Sequence, residues 1–256
     1  MIESKRYVVL SDLQIPLHDA RSITAVIQFI SDWEPDEILC VGDEADFWEI
    51  SRWEKGGKLE FAGTFQENID KTTEIMTRFR EAAPDAPFHV MRSNHGETRV
   101  KSYIKRYAPA LDTLRALEYE KLLNYDDIGI KYHRGIYQFA PGWGLAHGDE
   151  GSTLQTPGGT ALGLAKRFGI SIVCGHTHKM GIQHHHFGYN GKVTQHLWGV
   201  EVGNLMDMTK ATYLPSGHGN WQQGFTLLYG RRGNITPVLV PIIGRSFTVE
   251  GKTYKW

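Results

Sequence analysis

Short apolar runs alternate along this chain with segments whose apolar positions recur every three or four residues. Tyr7-Val8-Val9-Leu10 is a compact β-branched run and predicts a strand. Ile23, Val26, Ile27 and Ile30 follow at helical spacing and stop before Pro35, which predicts a helix. Residues 37–41 predict a second strand, and this β-α-β order predicts a parallel pair with a right-handed crossover. Thr64 and Glu67 make a capping-box pattern ahead of an apolar stripe at Phe65, Ile69, Thr72, Met76 and Phe79, so a second helix is expected to run to near Pro84. Phe88-His89-Val90-Met91 predicts a third strand. Residues 98–123 read as helical with a break at Pro109, placing Val100, Tyr103, Ile104 and Tyr107 on one face.

From Ile128 onward the pattern turns to strands. Residues 128–133, 136–140 and 143–147 are separated by the turn signals Arg134-Gly135 and Pro141-Gly142. Residues 160–168 predict a short helix closed by Gly169, and 170–174 another apolar strand. Asn190-Gly191 predicts a hairpin between residues 182–187 and 193–198, and Gly233-Asn234 separates two further strands at 225–229 and 235–240. Residues 47–63 break the rhythm: Phe47 to Trp53 is aromatic without a period and ends at Gly56-Gly57, which predicts a loop. Without internal repeat, low-complexity stretch or linker, residues 1–256 are expected to form one domain.

Composition narrows the class. With 41% hydrophobic and 22% charged residues, the 256-residue chain is globular rather than disordered. A net charge of -1 excludes a global basic footprint for nucleic acid, leaving only a local groove open. Cys40 and Cys174 both fall in predicted buried strands and read as reduced core residues of a cytoplasmic protein, not as a disulfide or zinc knuckle. No apolar run approaches the ~18 residues of a membrane span, and Met1-Ile2-Glu3-Ser4-Lys5-Arg6 has no signal-peptide core, so no membrane partner is expected.

The candidate chemistry sits where predicted strands end. Asp12, Asp43, Asn94-His95, His147-Gly148-Asp149 and His176-Thr177-His178 each follow one, the place where open α/β sheets hold their ligands. Carboxylate, amide and imidazole donors gathered from several strand ends are what a two-metal hydrolytic site requires, with one carboxylate shared between the cations. Asp43 fits that bridging role, and the mixed oxygen and nitrogen donors suit manganese, iron or zinc better than calcium. Such a pair would supply a hydroxide for in-line attack on phosphorus. His95 would protonate the leaving oxygen, and Asp46 would hold its ring.

Taken in order, these stretches resemble the calcineurin-like metallophosphoesterase family, whose motifs run D-x-H, G-D-x-x-D, G-N-H-E/D, a lone His often in H-G-D, and G-H-T-H. The resemblance spans residues 12 to 178. It implies a four-layer α/β/β/α sandwich with two mixed sheets. It implies that Asp12, Asp43 and His178 bind one ion, that Asp43, Asn94, His147 and His176 bind the other, and that His95 is catalytic. In two places the chain departs from the family pattern. Gln14 stands at the family's first histidine, and an amide oxygen binds zinc or iron less well than imidazole does. A weakly held first ion is therefore expected, with manganese preferred among manganese, iron, zinc, nickel and magnesium. Ser93 replaces the glycine before Asn94, so position 93 must accommodate a side chain, and the family's acid does not map securely onto Glu97.

The leading functional expectation is a phosphodiesterase acting on nucleotides or nucleic acid. The aromatic loop with Trp48 could stack bases, or equally be a surface loop pinned by its two tryptophans; Arg99 is among the basic residues after His95, and His18, otherwise read as structural, lies close enough to Asp12 to touch substrate. A phosphomonoesterase, including a protein phosphatase, is the alternative. Arg92 and Arg99 favour it, whereas Phe47 directly after Asp46 weighs against it. A catalytically silent scaffold that keeps the fold is the alternative of another class. In His184-His185-His186, a strand would turn positions 184 and 186 to one side and 185 to the other, which reads as a polar strand surface. His89 reads as structural.

Overall fold

The structure, a computed structural model, describes residues 4–211 and 219–256; Met1-Ile2-Glu3, part of the N-terminal stretch read above as having no signal-peptide core, lie outside them. The chain forms β1 (Lys5–Leu10), α1 (Ala20–Trp33), β2 (Glu37–Cys40), α2 (Phe65–Ala82), β3 (Phe88–Met91), α3 (Glu97–Tyr107), α4 (Tyr119–Leu122), β4 (Ile130–His133), β5 (Tyr137–Ala140), β6 (Trp143–Leu145), α5 (Gly159–Phe168), β7 (Ser171–Cys174), β8 (Met180–Tyr189), β9 (Lys192–Val202), β10 (Gly224–Arg231), β11 (Asn234–Pro241), β12 (Ser246–Val249) and β13 (Lys252–Lys255).

Two mixed sheets carry these elements. The first runs β11-β10-β1-β2-β3-β4, with β1 to β4 parallel and β10 and β11 antiparallel additions. The second runs β5-β6-β7-β9-β8, with β6, β7 and β9 parallel and β5 and β8 antiparallel at its edges. β12 and β13 pair separately.

Strand alternation explains the layering. Val8, Leu10, Ile38, Cys40, Phe88 and Val90 turn outward under α1 and α2, meeting Ile23, Phe29, Met76 and Phe79. The intervening Tyr7, Val9, Leu39, Val41 and Met91 turn inward and meet Leu145, Val173, Val200 and Val202 of the second sheet. Ile172, Cys174 and Leu197, out of phase with these, face α5 through Ala161, Leu162 and Ala165. Helices, sheet, sheet and helix thus stack as the expected four-layer sandwich. The central strands are apolar on both faces because both faces are covered, each buried branched residue contributing roughly 1.5–3 kcal/mol.

Local signals fix the helix ends. Asp19 accepts from the backbone N–H of Arg21 and Ser22 to start α1, and Thr64 and Glu67 form the reciprocal capping box of α2. Both cysteines are buried and unbridged. Among the described residues, no helix is long and apolar enough to cross a membrane. The expected stripe on α3 splits: Val100 is buried and Ile104 packs on the core, but Tyr103 and Tyr107 are exposed. Their side of the helix meets the loop at 48–61 rather than the sheet.

Candidate metal centre

β1, β2 and β3 of the first sheet, and β6 and β7 of the second, all deliver their C-terminal ends to one edge of the sandwich. Asp12, Gln14, Asp43, His147 and His178 are buried there, and Asn94 and His176 are half-buried. The seven residues expected to surround the metals are therefore brought together. Asp43, His147 and His176 each offer a donor atom within 4.8 Å of the others. His178 Nε2 lies 3.2 Å from Asp12 Oδ1, and His147 Nε2 lies 3.3 Å from Asp43 Oδ2. Asn94 Oδ1 stands between two rings, 2.7 Å from His147 Nε2 and 2.9 Å from His176 Nδ1.

The backbone pays for this convergence in strain. Asp12, Gln14, Asp43, His176 and His178 all adopt left-handed conformations, with φ of 48°, 52°, 53°, 66° and 57°. Each such L-residue costs roughly 1–2 kcal/mol, and strain of this kind gathers at functional sites. Gly42, at φ 100°, makes the turn after β2; a Cβ there would sit 2.7 Å from Ser93 Cβ and 3.0 Å from His147 Nδ1. Ser93 is accommodated because position 42 has no side chain, and its hydroxyl accepts the Gly96 N–H at 3.3 Å. At Gly175 a Cβ would collide with Ser11 Oγ and Asp12 Oδ2, so this turn must also stay bare.

The donor chemistry fits divalent cations. His147 Nδ1 donates to the Val41 carbonyl at 2.8 Å, which turns its Nε2 toward Asp43. Burial alone would lower the His147 pKa, but Asp43, Asp12 and Asp149 raise it to about 10. Burial likewise would raise Asp43, but His147, His95 and His176 hold it well below the ordinary carboxylate range. The buried carboxylate and the imidazole thus favour each other's charged forms. Gln14 Oε1 and His178 Nδ1 are buried without hydrogen-bond partners, and Asp12 Oδ1 has only the ion-pair contact with the His178 ring. Gln14 instead turns its amide nitrogen inward, donating to Asp43 Oδ2 at 3.2 Å. Ligation by Gln14 would require the amide to turn over, which leaves its shape unchanged.

Beside this cluster, Asp46 lies 2.5 Å from His95 Nδ1 and 2.6 Å from Arg99 Nη1. Burial raises the Asp46 pKa, but His95 and Arg99 outweigh it and keep the carboxyl below its usual range. The His95 N–H also donates to Asp43 Oδ1 at 3.0 Å, tying the two motifs together. Glu97, whose equivalence was in doubt, is buried in the first turn of α3 and bound by Lys101 and Arg134. Arg92 is held by three hydrogen bonds of 2.8–2.9 Å to Asp149.

A cleft of about 470 Å³ opens from Asn94 and Arg99 between the loop at 49–60 and α3. Trp53, Tyr103, Tyr107, Arg52, Lys55 and Arg106 line it. Here the structure corrects two expectations. Trp48 is buried against Leu17 and Met206, and Trp53, 77% exposed, is the tryptophan in the cleft. His18 is buried and its backbone bridges Met206, so it lines no part of the cleft. Sequence reasoning missed the tyrosines, although Arg99, Tyr103 and Arg106 share one helical face by spacing. It also missed Trp221, whose ring lies 4.4 Å from that of His178.

No family model matches the chain. Vps29 from Chaetomium thermophilum superposes with a TM-score of 0.50 at 13% identity, covering 98% of each chain, a likeness of fold that agrees with the metallophosphoesterase-like sandwich. In sequence, the chain is 39% identical over 255 residues to the Gene 54 protein of Mycobacterium phage L5, covering 98% of this chain and 99% of that protein. The Gene 54 protein of Mycobacterium phage D29 matches to the same extent. Across nearly its whole length, then, the chain belongs to the family of these mycobacteriophage Gene 54 proteins.

Proposed function

We propose that the protein is a metal-dependent phosphoesterase that hydrolyses phosphodiester bonds of nucleotides or nucleic acid. The observation that carries this reading is that Asn94 and Arg99 belong at once to the donor cluster or its flank and to the wall of the aromatic, basic cleft. Asp12, Gln14, Asp43 and His178 would hold one divalent cation, and Asp43, Asn94, His147 and His176 the other. When bound, the pair supplies Lewis acidity and an activated water. His95 donates a proton from Nε2 to the leaving oxygen, because Asp46 engages Nδ1 and fixes the ring. Arg99 balances the Asp46 charge and keeps it in place.

The cleft favours a diester over a monoester. A group beyond the scissile phosphate would lie along Trp53, Tyr103 and Tyr107, which offer stacking faces, while Arg52 and Arg106 offer charge to a backbone phosphate. Arg92, which could otherwise grip a monoester dianion, is already engaged by Asp149.

The test is hydrolysis of bis-p-nitrophenyl phosphate against p-nitrophenyl phosphate by metal-stripped protein resupplied with manganese, zinc, nickel or magnesium. Diester cleavage that needs the metal and falls roughly 10²–10⁴-fold in His95→Ala is expected. Cleavage of the monoester alone would overturn the diesterase reading in favour of a phosphatase. A folded protein without turnover under any metal would leave a scaffold as the reading.

A further inference from the structure

The β8–β9 hairpin carries a second group of imidazoles far from the strand-end cluster. Its register sets His186 directly opposite His196 and His184 directly opposite Trp198. Directly opposed residues share a sheet face, and so do positions two apart on one strand. His184, His186, His196 and Trp198 therefore occupy a single face, while His185 turns to the other and meets Phe187 edge-on at 4.6 Å. All three histidines of the shared face are exposed, and they offer donor nitrogens within 4.8 Å of one another. The His186 and His196 rings are 4.2 Å apart, and the indole of Trp198 stacks on His184 at 5.2 Å and 22°.

We propose that His184, His186 and His196 form a surface site for one zinc-class divalent cation, separate from the strand-end centre. Three imidazoles with an open fourth position are an established donor set for zinc, whose bonds to nitrogen are roughly 2.0–2.1 Å. Their nitrogens must close from within 4.8 Å to roughly 3.4 Å for tetrahedral ligation, a movement that rotation of exposed side chains provides without moving the strands. Borderline imidazole donors select zinc, nickel or copper over magnesium and calcium. The stacked indole holds the His184 ring in the shared face. His184 and His186 lie roughly 13–20 Å along β8 from Met180, its first residue after the strand-end cluster, so the two sites do not share ligands. The ion would clamp β8 to β9 near the hairpin end and leave its fourth position to water or to a donor on another molecule.

The experiment is equilibrium dialysis of metal-stripped protein against Zn2+ at pH 7.5, counting ions per chain in wild type, His186→Ala, His196→Ala and His185→Ala. Circular dichroism checks that each variant is folded. One fewer ion per chain, or at least a roughly tenfold weaker one, is expected in the first two variants and not in His185→Ala. Copper added to the same proteins should quench the emission of Trp198, a signal removed in Trp198→Phe. Equal zinc counts and affinities in wild type and His196→Ala would overturn the site, as would an equal loss in His185→Ala. Neither readout depends on hydrolysis, so a failure here is distinguishable from a failure of the phosphodiesterase reading.

Discussion

Asp43, His147 and His176 at the strand ends and His184, His186 and His196 on the hairpin both bring three donor atoms within 4.8 Å, yet they are built in opposite ways. The first group sits in buried turns, with Asp43 and His176 in left-handed backbone and Gly42 and Gly175 kept bare to let the loops touch. Its members shift one another in opposite directions, Asp43 downward and His147 upward, with His95, Asp12 and Asp149 adding to the effect. The second group stands in regular, exposed β structure and needs no unusual backbone. Burial places the first group in a low dielectric, where its charges interact strongly, but it requires two sheets to be in place. The hairpin group requires only one pair of strands.

Substitution of His95 should separate the two regions most strongly. His95→Ala should lower metal-dependent diester hydrolysis roughly 10²–10⁴-fold, whereas His196→Ala should leave it unchanged. An equal loss in both, measured as kcat at saturating manganese, would break the separation. Acid should act next, again through interior histidines. Burial first, then Lys210 and Lys71, lowers His18 to about 4, and burial, then His133 and Lys131, lowers His89 to about 4. Both rings are more easily protonated in the unfolded chain, at a pKa of 6.5. Their contribution to stability is complete above that value and is lost as pH falls toward 4, up to about 3 kcal/mol for each. Urea unfolding at pH 7 and pH 4.5 should show this loss, and His89→Phe and His18→Asn should each flatten it.

The cleft offers a smaller effect. Trp53→Ala should weaken binding of an oligonucleotide by roughly 1–3 kcal/mol while leaving bis-p-nitrophenyl phosphate turnover intact. Equal effects on both substrates would assign Trp53 to the loop's own packing. The smallest change is expected at Gln14. Gln14→His replaces an inward amide with an imidazole and should tighten zinc roughly tenfold, erasing a preference for manganese. Full activity of the wild type with zinc alone, without response to manganese, would remove the basis for that expectation.

The order of strands and helices up to residue 240 was legible in the sequence because it rests on local signals, whereas the four layers and the ligand set came from the resemblance of the ordered strand-end motifs to the metallophosphoesterase family. Alternation in residues 7–10, 38–41 and 88–91 assigns every other side chain to a helix-covered face or to the sheet interface, and a donor that follows such a strand has one edge to go to. Asp46 could be paired with His95 for the same reason. What meets each face was a different matter. The spacing of Val100, Tyr103, Ile104 and Tyr107 defines a stripe, but only the position of the loop at 49–60 decides that the tyrosines line a cleft while Val100 enters the core. Trp48 and Trp53 are equally aromatic in the sequence, and only the pocket formed by Leu17 and Met206 decides which is buried. His196 becomes the third member of the hairpin group through register alone, since a slip of one residue would carry it to the opposite face. Periodicity is a property of neighbouring residues and is written in the chain, whereas facing partners are chosen by contacts distant in sequence, and those exist only once the sheets have formed.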